Sequence, residues 1–186
     1  MAEDRNIHIK LGMAEGLGCV LIAYLTFMVA MWGFEQVSAG PAILAVSYWI
    51  GIGFLIVTAV AFFNENYLMS AVFGVLGVFT LAFPQIASDP VFGNGGMAVL
   101  FVGIILLVLA VVSLAQPIRL LPIFLIIAAL MFFFIGLWWG DLANETYQML
   151  TGVFAFITML LALYFVAAVG LLVLKGKPVL PLLIKG

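Results

Sequence analysis

The stretch LLPIFLIIAALMFFFIGLWWG runs from Leu120 to Gly140, between Arg119 and Asp141, and none of its residues carries a charge. A helix needs about 20 apolar residues to cross a bilayer core roughly 30 Å thick, and this stretch supplies them. The run is continuously apolar, whereas a barrel strand alternates over about 10 residues, so it reads as a membrane-spanning helix. Working outward, five more stretches read alike: Gly16–Phe34, Pro41–Phe63, Tyr67–Gln85, Met97–Ala115 and Tyr147–Leu174. None contains Asp, Glu, Lys, Arg or His. The predicted fold is all-α, a polytopic membrane protein of six transmembrane helices in one domain over residues 1–186.

Composition agrees. The chain is 67% hydrophobic and 8% charged, far from a soluble domain with about a quarter of its residues charged. Only short loops remain between spans, which leaves no room for a soluble catalytic module, so no enzyme activity is expected. Residues 1–15 mix Glu3, Asp4, Arg5 and Lys10 with Ile7, Ile9 and Leu11 and read as an amphipathic lead at the cytoplasmic interface. Residues 175–186 read as a cytoplasmic tail. Cys19 and His8 are the sole cysteine and histidine, which excludes an intrachain disulfide and a metal site built on them. No cofactor is expected. A formal charge of −2 without a basic patch argues against nucleic acid.

The cations set an orientation. Threading the spans alternately places Arg5, Lys10, Arg119, Lys175, Lys177 and Lys185 on one side and leaves the opposite loops with none. Basic residues near span ends stay on the cytoplasmic side, so both termini are expected inside a cell (inner or plasma) membrane. Glu35, Asp89, Asp141 and Glu145 fall outside.

The two halves share a weak likeness. Asn64-Glu65-Asn66-Tyr67-Leu68-Met69 is echoed by Asn144-Glu145-Thr146-Tyr147-Gln148-Met149, and Pro41 by Pro122. Three spans per half would give the halves opposite topology, an inverted 3+3 repeat. Pro84 marks the expected end of the third span. Ser70, Gly74 and Gly77 form a small-residue stripe suited to close helix packing. Trp32, Trp138 and Trp139 lie where an aromatic belt is expected, while Trp49 lies deeper.

No span carries the carboxylate that usually couples transport to protons or sodium. The polar groups inside spans are hydroxyls and indoles, Tyr24, Thr26, Ser47, Tyr48, Trp49, Thr58, Ser70, Thr80, Ser113, Thr151, Thr158 and Tyr164, and most of the hydroxyls can simply bond to their own helix carbonyls. A bundle of this kind suits passage of a small solute through a narrow apolar constriction.

The third span carries a resemblance. Asn66, Phe73, Gly77 and Phe79 match a Gly-Asn-x-Phe-Gly, Phe, Tyr-Gly-x-Phe-Trp pattern, with Glu65, Leu68, Met69, Leu76 and Thr80 departing from it. The tail Lys177-Pro178-Val179-Leu180-Pro181 is similar to a Val-Leu-Pro ending. In these features, span number and length, the chain resembles the acetate uptake transporter family, the succinate–acetate permeases and their fungal relatives, as a distant member. The first-span signature Asn-Pro-Ala-Pro-Leu-Gly-Leu survives only at Ala14.

The resemblance implies a six-helix protomer with its own pathway, a homo-oligomer (a hexamer) and a small carboxylate as solute. The family narrows its pathway with side chains from the first, third and fifth spans, which ungapped alignment places at Leu21, Leu76 and Ala128. Asn66 becomes a candidate for the pore mouth, beside the plainer reading as a helix cap. Three readings compete: a channel or transporter for a small monocarboxylate such as acetate, a channel for a neutral solute such as urea or an amide, and a non-transporting structural subunit of a membrane complex. The first two require a pathway through the protomer; the third, a solid bundle.

Overall fold

A computed structural model describes residues 2–35, 39–88, 95–116, 118–140, 144–176 and 179–181. These form α1 (Ala2–Gly33), α2 (Ala39–Phe63), α3 (Tyr67–Ser88), α4 (Gly95–Ser113), α5 (Leu120–Gly140) and α6 (Glu145–Lys175), with no strand among the described residues. All six are long and apolar enough to cross a membrane. The chain is therefore an all-α integral membrane protein. Its outward faces agree: Phe101, Ile104, Val108 and Val111 line one exposed stripe of α4, which only lipid or another apolar surface would cover.

Caps explain where several helices start and stop. The Asn144 side chain accepts from the Tyr147 amide to open α6, and Gly176, at φ 66°, closes it by donating to the Leu172 carbonyl. The turn from α2 to α3 uses Glu65 at φ 62°, while the Asn66 amide donates to the Ala61 carbonyl at 2.9 Å. Two boundaries differ from expectation. α1 runs unbroken from Ala2, so the N-terminal lead continues the first span rather than forming a separate element. Its 32 residues reach roughly 48 Å, past a single hydrocarbon core. Pro84 does not end α3, which continues to Ser88; the proline removes one rung of the ladder instead.

The helices form a ring in chain order, each packed on its sequence neighbours and α6 closing on α1. Within that ring two classes separate. The spans of α1, α3 and α5 are half or more buried, those of α2, α4 and α6 much less. Three inner helices thus surround an axis, and three outer helices fill the grooves between them. The likeness between the halves has no counterpart in this packing. A shift of three helices would carry inner α1 onto outer α4, and a two-fold in the membrane plane would reverse the sense of the ring. The packing instead repeats every two helices, as the pairs α6 on α1, α2 on α3 and α4 on α5.

Each of these pairs has a glycine crossing. A Cβ built on Gly33 of α1 would lie 2.4 Å from the Gly152 Cα of α6. One on Gly96 of α4 would lie 2.5 Å from the Gly136 carbonyl oxygen of α5, and one on Gly77 of α3, 3.3 Å from the Gly51 carbonyl of α2. Without a side chain at these points the backbones approach closely, the usual basis of helix association in lipid. The Ser70–Gly74–Gly77 stripe belongs to the α2–α3 pair: Ser70 donates to the Thr58 carbonyl at 3.2 Å, and Gly74 faces the Thr58 side chain.

Candidate functional site

Because the inner helices pack tightly outward, their own backbones scarcely approach one another. Side chains alone fill the axis between them. Helix directions alternate, so α1, α3 and α5 finish at one end, with Trp32, Trp138 and Trp139; the other end holds Arg119 and the Asn64–Asn66 turn. Among the described residues, three small voids lie along this axis.

The void nearest the arginine end, about 20 Å³, is bounded by Cys19, Val72, Phe73, Phe124 and Phe165. The middle void, also about 20 Å³, is bounded by Thr26, Leu76, Leu106, Ala128 and Thr158. The third, about 30 Å³, is bounded by Trp32, Ser47, Phe79, Thr80 and Phe83. Neighbouring voids share walls: Ile22, Val72, Phe124 and Leu125 between the first two, Leu25, Met131 and Phe132 between the second and third. A water needs about 10–15 Å³ measured this way, so a larger solute must displace side chains to pass.

The walls offer almost no free polar group. Thr26 donates to the Ile22 carbonyl at 2.7 Å, Ser47 to Leu44 at 3.0 Å, Thr80 to Leu76 at 2.7 Å and Thr158 to Phe154 at 2.8 Å. Each hydroxyl is turned back into its own helix, which satisfies it without a partner across the axis. Thr151, which bounds none of the three voids, is the buried residue among those described whose hydroxyl has no hydrogen-bond partner. It lies two turns from Thr158 on the same face of α6. Among the described residues no His, Cys, Asp and Glu cluster could hold a metal ion.

The residues expected at the neck part company here. Leu76 and Ala128 meet at the middle void. Leu21 is not in its wall; it seats its methyl groups over Gly53 of α2, 2.9 Å from where a Cβ would stand. The next residue, Ile22, with Leu25 and Thr26, supplies the wall from α1. Asn66 bounds none of the three voids. Its side chain accepts from the Met69 amide at 3.3 Å, the geometry of an N-cap.

The tryptophans also depart from a lipid-facing belt. Trp138 is buried, and Trp32 meets it edge-on at 4.7 Å and Trp139 at 5.9 Å. Trp49 is 71% exposed on α2 beside Tyr48, away from the axis. The void residues that sequence reasoning missed, such as Phe124 and Met131, carry no polar mark and look like any other apolar residue of a span. The chain matches no protein-family model, no curated protein and no solved structure.

Proposed function

We propose that the chain is a channel or transporter for a small monocarboxylate such as acetate, described here closed, with its pathway along the axis between α1, α3 and α5. The observation that supports this is the contrast between perimeter and axis. Backbones interlock through glycines at the perimeter, while the axis is held by side chains around a chain of voids. Rotamer changes could join such voids without separating helices. The likeness to the acetate uptake transporters points to the same three spans and to a small carboxylate.

The lining adds a chemical constraint. A bare carboxylate in a wall with no free donor pays a desolvation cost of several kcal/mol or more, so the solute crosses the neck as the uncharged acid. On this reading acetate flux into proteoliposomes, above that of protein-free vesicles, rises as the medium is acidified, and succinate flux stays low. Urea flux without acetate flux would favour the neutral-solute reading. Flux of none above protein-free vesicles would favour the structural subunit. On this reading the arginine end, where the cations gather, faces the cytoplasm, and the exposed Tyr48 and Trp49 on α2 offer a surface for a second copy in a homo-oligomer.

A further inference from the structure

We infer that the tryptophan end of the axis is its gate, a seal made by Trp32 and the aromatic rings around it and hinged at Pro84 of α3. The inference rests on the axis being a pathway, but its own test reads the seal directly. Trp32 is the tryptophan that bounds the third void, and its indole is backed by Trp138 and Trp139. Trp139 lies 5.3 Å from Phe83, Phe83 lies 5.7 Å from Phe79, and Phe79 lies 5.4 Å edge-on to Phe132. Phe79, Phe83 and Phe132 bound the same void. The rings therefore form one connected cover from α1 through α5 to α3.

The α3 part of that cover is also the weakest stretch of helix beside it. Phe79 and Phe83 stand one turn apart, and Pro84 follows at once inside the helix. A proline has no N–H to give the carbonyl four residues back, here Thr80, and its ring crowds that carbonyl. Thr80 itself bounds the void. The missing rung lies between the two phenylalanines that close the void, so bending there carries Phe83 away from Trp139. The arginine end differs: Pro122 lies two residues before Phe124, but in the first turn of α5, where a proline removes no rung, and Phe73 lies about three turns from Pro84.

The test uses the full chain in detergent with Cys19→Ala, and Ser47→Cys as a reporter in the third void, where Ser47 is fully buried. The probe is a small methanethiosulfonate, and the readout is the labelling rate. Trp32→Ala is expected to raise the rate about tenfold or more, and Trp32→Phe to stay near the parent. Pro84→Ala, which restores the rung, is expected to lower it about threefold. Trp49→Ala, on the outer face, serves as the control. Should Trp32→Ala misfold, Trp139→Ala takes its place. A parental rate in Trp32→Ala and Trp139→Ala overturns the seal, and a rate at or above the parental in Pro84→Ala overturns the hinge. Labelling that responds while acetate and urea fail to cross would retain the aromatic seal but overturn its role as the gate of a solute pathway. Unchanged labelling in a protein that does transport would overturn the seal and retain the pathway.

Discussion

Asn66 stands where two roles overlap, and the bond its side-chain oxygen makes is that of a cap. That oxygen accepts from the Met69 backbone amide and starts α3, a bond compatible with either role because the cap uses only the acceptor of the side chain. Asn144 does the same for α6 through Tyr147. The sequence likeness pairs Asn64 with Asn144, yet the residues that cap are Asn66 and Asn144, two positions out of step. Aspartate caps as well as asparagine, whereas alanine loses about 1 kcal/mol. Asn66→Asp is therefore expected to keep thermal stability and acetate flux, and Asn66→Ala to lower stability by about 1 kcal/mol with flux per folded protein unchanged. Selective loss of acetate flux in a stable Asn66→Asp protein, with urea flux intact, would place Asn66 in the pathway after all.

At the scale of the helices, stability rests on three glycine crossings rather than on polar pairs. Gly33→Ala would drive a methyl into the α6 backbone at Gly152, and Gly96→Ala into the Gly136 carbonyl. Neither neighbour is a side chain that can turn aside. Each substitution is expected to cost about 1–3 kcal/mol. Gly170→Ala, in the same α6 but with open space around it, should cost nothing and gain roughly 0.5–1 kcal/mol from helix propensity. Thermal unfolding in one detergent measures all three, and equal behaviour of Gly33 and Gly170 would contradict the crossing. The six spans were legible because length and continuous apolarity suffice to identify a bilayer-crossing helix. Which helices lie inside was not legible. These helices are apolar all round, so periodicity names no face, and Gly33 and Gly152 look like ordinary glycines until the fold joins them. The hydroxyls were only a partial signal: Thr26, Ser47, Thr80 and Thr158 lie at the voids, whereas Thr58, Ser70, Ser113 and Thr151 bound none of them.

At the scale of the whole molecule, the ring has two chemically different ends, and the cation rule predicts that the arginine end faces the cytoplasm. Glu145→Cys at the tryptophan end and Lys175→Cys at the arginine end, each exposed and each in a Cys19→Ala background, separate the orientations. An impermeant thiol reagent outside intact cells should label the first and spare the second; the reverse pattern inverts the protein. The axis then poses the harder question, since any change in a core costs stability whether or not a solute passes. Two substitutions at the middle void resolve it. Ala128→Leu fills the void and costs about 1–3 kcal/mol through overpacking. Leu76→Ala enlarges it and costs about 2–5 kcal/mol through the cavity left behind. If the bundle is only structural, both are destabilised and nothing else distinguishes them. If the axis conducts, flux per folded protein falls in Ala128→Leu and rises in Leu76→Ala although stability falls in both. Leu21→Ala completes the set, because Leu21 packs on Gly53 outside the wall and should lose stability at parental flux. Opposite signs of flux against one sign of stability are a pattern that packing alone does not generate.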